Sequence, residues 1–165
     1  DTIWGIGCDA TNAEAVKRVY EIKKRSDSKA MLVLVDNAVK VDFYVDGAPE
    51  VAFDLIELTN KPLTIIYDGA KNLAPNLIAE DGSVGIRVTS EEFSNQLCYR
   101  FRKAIVSTSA NVSGEPSPAT FGEISDEIKQ AVDYIVQSRQ QENKASQSSS
   151  IIKLGKGGQV KVIRE

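Results

Sequence analysis

Asp81-Gly82-Ser83-Val84-Gly85-Ile86-Arg87-Val88 reads as a turn that feeds a β-strand. The Asp-Gly pair marks the turn, and along the strand the side chains point alternately to its two faces. Val84, Ile86 and Val88 therefore share one face, suited to a core, while Ser83, Gly85 and Arg87 share the other. A glycine inside a strand marks the close approach of a ligand or of another backbone. An arginine beside that gap can hold a carboxylate or phosphate through two parallel hydrogen bonds. Taken by itself the stretch is more simply an edge strand whose outer face is wet, and both readings stay open.

On either side, strand and helix signals are intermingled. Asn12 is a helix N-cap, and Ala13 to Lys24 follow with Val16, Val19, Tyr20 and Lys23 at helical spacing. The short apolar run Met31-Leu32-Val33-Leu34-Val35 is a buried strand that stops at Asp36-Asn37. Residues 49–58 form a second helix, and Leu63 to Tyr67 a strand ending at Asp68-Gly69. Ser90 caps a helix with Glu91 and Glu92 in its first turn, where negative charge meets the positive helix end. Ala104 to Ser107 is a strand, Ser125 to Ala131 is helical, and Tyr134 to Val136 is extended. Ile151 to Leu154 and Val160 to Ile163 make a hairpin around Gly155-Lys156-Gly157-Gly158. The mixture gives an α/β or mixed α+β sheet. Residues 137–149 are almost wholly polar and are expected to form a flexible loop within the domain.

At 165 residues the chain has the length of one domain. Its net charge of −3 argues against a general nucleic-acid coat, although a local basic groove remains compatible with it. Cys8 and Cys98 are far apart, forming neither a CxxC pair nor a disulfide framework, and with no secretion signal or membrane-length apolar run the expected location is the cytoplasm. The chain opens on Asp1-Thr2-Ile3-Trp4, strand-like and without an initiator Met, so a short preceding segment is expected. There is no histidine. That removes Ser-His-Asp and Cys-His chemistry, histidine general bases and most catalytic zinc sites.

Two further stretches can carry chemistry. Ile105 to Gly114 places Ser107 and Ser109 on one side of a strand, with Asn111 following at the same parity. Such hydroxyl and amide groups bond phosphate or carboxylate oxygens, at the strand end where open α/β sheets hold ligands. An ordinary polar turn has the same composition. Lys23-Lys24-Arg25, with Lys29 four residues on, is a phosphate clamp or simply a cationic helix C-terminus. Neither a Walker A nor a GxGxxG pattern is present, and no carboxylates have metal-ligand spacing.

Together these stretches resemble the YrdC-like threonylcarbamoyl-AMP synthase family. Residues 1–10, DTIWGIGCDA, are similar to the family's opening PT(D/E)TVYGLGCDA; Lys23-Lys24-Arg25 matches its KxR, and Asn60 to Thr64 the end of WPGPLT. Asp81 to Val88 matches DGTVGVRVP, and Ser107 to Gly114 matches STSANLSG, followed by Pro116-Ser117-Pro118. Ser148 to Leu154 is similar to ESTIVDL and Val162-Ile163-Arg164 to the closing ILR, so the likeness runs over nearly the whole chain in order. Departures are Ser26 and Ala30 for prolines, Leu34 near a histidine of some relatives, and serines at 148–150 for Glu and Thr.

The resemblance implies a single-domain twisted sheet with flanking helices around a concave, positively lined cleft. It implies condensation of L-threonine, bicarbonate and ATP into threonylcarbamoyl-AMP and pyrophosphate, a nucleotidyl transfer. Downstream tRNA threonylcarbamoyltransferase machinery then consumes the product. Mg²⁺ is expected to arrive with ATP, held by phosphate oxygens and water rather than by a protein cage. By the same resemblance Lys23, Arg25 and Lys29 hold the phosphates, Lys23 and Arg25 being the catalytic cations. Ser83, Ser109, Asn111, Ser117, Ser149 and Arg164 complete the ATP site, and Thr2, Arg87 and Ser107 bind threonine. The rival reading is an RNA-binding or ribosome-associated module of the same fold without synthase activity, contacting tRNA or double-stranded RNA. A third is a carbamoyl-transfer domain of a larger maturation enzyme, whose cysteine-rich zinc modules this chain lacks.

Overall fold

The computed structural model describes residues 2–25, 31–143 and 147–165. Seven strands make one sheet: β1 (Gly5–Ile6), β2 (Leu32–Val35), β3 (Leu63–Tyr67), β4 (Val84–Val88), β5 (Ile105–Ser109), β6 (Ser150–Leu154) and β7 (Val160–Arg164). Five helices accompany them: α1 (Ala13–Ile22), α2 (Lys40–Tyr44), α3 (Glu50–Leu58), α4 (Glu92–Phe101) and α5 (Asp126–Ala131). The order across the sheet is β1-β5-β2-β4-β3-β6-β7, parallel at β2–β4 and β3–β6 and antiparallel elsewhere. The result is the mixed α/β sheet expected.

The edge-strand explanation of Ser83 to Val88 is overturned. β4 is the central strand, parallel to β2 and antiparallel to β3. Flanked by β2 and β3, Arg87 is only 4% exposed. Val84 and Ile86 sit in the core with Val33, Val35, Ile65, Tyr67 and Val106. The opposite face follows from register. Leu34 is paired with Arg87 on one side and Ile105 on the other, and Leu32 with Ser107. Gly85 stands opposite Ile66, and a Cβ there would meet Leu32 and Thr64 at 3.4 Å. Its close neighbours are side chains of the two flanking strands.

Helix ends follow local chemistry. The Asn12 side chain accepts from the N–H groups of Glu14 and Ala15, which starts α1, and Ser125 caps α5. The α4 cap differs from expectation by one residue: Glu91, not Ser90, accepts from Phe93 N and Ser94 N at 3.2 and 2.8 Å. The longer carboxylate reaches both orphan donors. Residues 134–136, expected extended, join no strand, and the strand expected over residues 104–107 runs instead from Ile105 to Ser109. Helix α2 has no signature in the sequence, because five residues are too few for a helical period and only Val41 and Tyr44 are buried.

Tyr44 ties α2 to the start of β5: the buried Ala104 N–H donates to its hydroxyl at 2.8 Å. Tyr44→Phe leaves that N–H without its acceptor in a dry interior, at a cost of about 1–3 kcal/mol. The expected result is a lower urea midpoint with an unchanged m-value.

Candidate functional site

A cavity of about 610 Å³ opens on the sheet face that carries Arg87. Thr2, Arg87 and Ser107, the three residues assigned to threonine, all line it. They come from the segment leading into β1, from central β4 and from β5. Leu34 and Ile105 border Arg87 and Ser107 on this face and line the cavity too. Burial, and secondarily the nearby Arg164, pushes the Arg87 guanidinium down to about 10. It stays charged at neutral pH, in a setting where water screens it weakly.

The residues assigned to ATP lie elsewhere. None of Lys23, Arg25, Ser83, Ser109, Asn111, Ser117, Ser149 and Arg164 lines this cavity. Lys29 lies outside the described residues. Two groups of them are nevertheless assembled by the fold. The first forms where α1 ends. Lys24 takes a left-handed backbone (φ 48°) and sends its ammonium outward to Glu127 at 2.7 Å. Lys23 turns inward, 1% exposed, and its Nζ donates to the carbonyls of Ser109 and Asn111 at 2.5 and 2.7 Å. The Ser113 N–H returns a bond to the Lys23 carbonyl at 2.8 Å. Burial, with Arg25 beside it, pushes Lys23 down to about 8. Arg25 is half-buried and also shifted downward by burial. The basic run is therefore a solvated helix end only at Lys24.

Asn111 is held in turn by its own amide, which donates to the carbonyls of Val112 and Glu115 at 2.9 and 2.8 Å. Its Oδ1 and the Ser113 Oγ are buried with no hydrogen-bond partner among the described residues.

The second group lies on the other side of β4. The hydroxyls of Thr64 and Ser149 are 2.8 Å apart, and both residues are buried. Arg164 Nε donates to the Ser149 carbonyl at 2.9 Å. Arg87 joins this group to the cavity, since it lines the cavity and feels the charge of Arg164. Thr64 was not singled out in the sequence. Its only signal is its place at the end of Asn60-Lys61-Pro62-Leu63-Thr64.

Ser83 and Ser117 join neither group. The Ser83 hydroxyl and N–H both donate to Asp81 Oδ1, at 2.5 and 3.0 Å. Lys153, followed by those bonds from Ser83, holds the Asp81 carboxyl down at about 2. Ser83 precedes Arg87 by four strand residues, roughly 13 Å at ~3.3 Å per residue. Ser117 is exposed beside buried Pro118.

The cavity lining mixes both signs rather than being simply positive. Arg18 is paired with Asp133 at 3.0 Å, and Arg139 with Glu91 and Glu142 at 3.3 and 2.7 Å. These pairs place cations and acids side by side at its walls. Much of the rest is apolar, including Phe93, Leu97 and Phe101 at i, i+4 and i+8 on α4. Among the described residues no three His, Cys, Asp or Glu side chains gather as a metal site. No described helix is long and apolar enough to cross a membrane.

Known proteins share this fold. A family model for the Sua5, YciO and YrdC proteins, described as telomere recombination, matches residues 1–165. A putative threonylcarbamoyl-AMP synthase of Methanocaldococcus jannaschii is 34% identical over 156 residues, covering 93% of this chain and 71% of that protein. A threonylcarbamoyl-AMP synthase of Pseudoalteromonas translucida is 30% identical over 139 residues, covering 82% and 74%. Among solved structures, P. abyssi Sua5 complexed with L-threonine superposes with a TM-score of 0.81 at 22% identity, over 93% of this chain. This chain spans only 45% of that longer one. E. coli YciO gives a TM-score of 0.78 at 22% identity, over 100% of this chain and 80% of its own. With a family match over its whole length, this chain belongs to the Sua5/YciO/YrdC family.

Proposed function

We propose that this protein is an L-threonylcarbamoyladenylate synthase, a nucleotidyltransferase that makes threonylcarbamoyl-AMP and pyrophosphate from L-threonine, bicarbonate and ATP. The product supplies threonylcarbamoyl groups to a separate transferase that modifies tRNA. The observation that carries the reading is the convergence of Thr2, Arg87 and Ser107 on one cavity, with a buried guanidinium as its fixed cation. The names carried by its relatives support the same activity.

Arg87 grips the threonine carboxylate through two parallel hydrogen bonds, and Ser107 and Thr2 orient the rest of the molecule. The neutral threonine amine bonds to the bicarbonate carbon, the C–OH bond breaks, and the hydroxide leaves as water with an amine proton, giving the carbamate. A carbamate oxygen then attacks the α-phosphorus of ATP; the bond to the β-phosphate oxygen breaks and pyrophosphate leaves with the electron pair. Such a transfer rests on positioning and on charge rather than on a protein nucleophile, which suits a chain without histidine. Lys23 and Arg25 offset charge at the phosphates, and Ser109 and Asn111 lie on the loop that Lys23 fixes. Ser149 and Arg164 approach the nucleotide from the other side of Arg87. Mg²⁺ enters on the phosphate oxygens of ATP and completes its shell with water.

Purified protein with threonine, bicarbonate and Mg-ATP should release pyrophosphate only when threonine is present, and threonine-independent release or none at all overturns the reading. Arg87→Ala removes a charged hydrogen-bonding group from the reaction centre, and turnover should fall by roughly 10²–10³-fold. The circular-dichroism spectrum should keep its native form.

Lys23 gives a pH signature of opposite sign in activity and stability. Its ammonium loses its proton near pH 8, so kcat/KM for ATP should fall as pH rises through that value. The unfolded chain keeps the ordinary value of 10.5, so between about 8 and 10.5 it binds the extra proton and stability rises with pH. In Lys23→Met both limbs should disappear, read by pyrophosphate kinetics and by urea melts across that range.

A further inference from the structure

Between β4 and α4 the chain makes a short, stiff connection. The Thr89 N–H donates to the Val35 carbonyl at 3.0 Å. The Asn95 amide braces the connection from α4 by donating to the carbonyls of Thr89 and Asp36 at 2.9 and 2.8 Å. Arg87 stands at one end of this connection and Glu91 at the other. Glu91 is fixed in place because its carboxylate caps α4 and also accepts from the Ser94 hydroxyl at 2.6 Å. Its side chain is 14% exposed.

Arg139 reaches this fixed carboxylate from a distant part of the sequence. Its Nη1 lies 3.3 Å from Glu91 Oε1, while Nε and Nη2 form a fork on Glu142 at 2.7 and 2.9 Å. The backbone of Arg139 is left-handed, with φ 63°, a conformation that an L-residue adopts at some cost. Two residues of the segment before it, Ile135 and Val136, line the cavity, as do Arg139, Glu91 and Glu142. The Gln140 amide, donating to the Val136 carbonyl at 2.7 Å, keeps this part of the chain folded back on itself.

We propose that Arg139 is a positioning residue for the amino-acid substrate: its ion pair with Glu91 fastens the Tyr134–Asn143 segment to the start of α4, so that Ile135 and Val136 close the cavity over the carboxylate held at Arg87. The proposal rests on the reading that threonine binds at Arg87. Apolar cover displaces water from around the guanidinium and carboxylate, and their attraction grows as water leaves. Arg139 acts by holding the segment, its Nε, Nη1 and Nη2 being engaged by Glu91 and Glu142.

The test uses the full chain with Arg139→Gln, Glu91→Gln and the double variant. Gln at 91 keeps an oxygen for the helix cap while removing the charge. An ion pair of this exposure is worth up to about a fivefold change in an equilibrium. Each single variant should therefore raise the threonine KM by about fivefold, with the ATP KM unchanged and kcat within about twofold. The double variant should add nothing beyond Arg139→Gln, which already breaks the Glu91 contact along with the fork on Glu142. Arg139→Lys should recover part of the loss. An unchanged threonine KM, additive effects in the double variant, or equal rises in both KM values would overturn the proposal. Amide hydrogen exchange of the substrate-free protein decides the fastening independently of any activity. Exchange at 134–143 should quicken in both single variants, and unchanged exchange in Glu91→Gln also overturns the proposal. If the wild-type chain releases no threonine-dependent pyrophosphate, the functional reading fails, while the exchange experiment still decides whether Arg139 fastens the segment.

Discussion

The ammonium of Lys23, set between the carbonyls of Ser109 and Asn111, is the contact on which the polar side of the site depends. It sits where α1 stops and reaches the loop that leaves β5. Two backbone carbonyls gain a charged donor thereby, and a cation is buried at the same point. Burial of a charge is costly unless it is hydrogen-bonded, and the fall of Lys23 to about 8 is the trace of that cost. The same residue thus has a structural duty and a place beside the proposed phosphates. The loop carrying Ser109 and Asn111 cannot be treated apart from the helix end that holds it.

Arg87 plays the corresponding part on the cavity side. A guanidinium at the middle of a sheet is an expensive feature for a core that could have been wholly apolar. Leu34, its neighbour in register on β2, helps shield it from water. A charge so placed is poised for an anionic group brought by a ligand. The rest of the cavity wall reinforces this contrast. Its other cations are drawn into local pairs, such as Arg18 with Asp133, or lie over a ring, as Lys129 does above Phe121 at 5.0 Å. Long-range attraction by a uniformly basic cleft is therefore not what the walls provide; selection falls to short-range contacts at the floor.

The site divides about β4. Thr2, Arg87 and Ser107 face an open, largely apolar cavity, whereas Lys23 with the Ser109–Asn111 segment, and Ser149 with Arg164, form more polar groups outside it. That division matches a substrate pair in which one member is small and carries a carboxylate while the other is a large polyanion. Arg87 is the link, being in the cavity and within the field of Arg164.

The sequence by itself determined most of the strand and helix series, though not the five-residue α2, because these elements depend on local period, caps and turns: Asn12 and Ser125 at their helices, Asp81-Gly82 before β4, and the glycine-rich turn between β6 and β7. It also carried the residue types of the site and, by resemblance, the family. Strand order was decided only in three dimensions. Nothing in Ser83 to Val88 distinguishes a central strand from an edge, since both show the same alternation, and only pairing with β2 and β3 buries Arg87. Nor could the sequence tell that Ser83 serves Asp81, that Lys23 faces inward while Lys24 faces Glu127, or that Arg139 meets Glu91 across 48 residues of chain. These are relations between segments brought together by the sheet, and a local pattern holds no information about its distant partner.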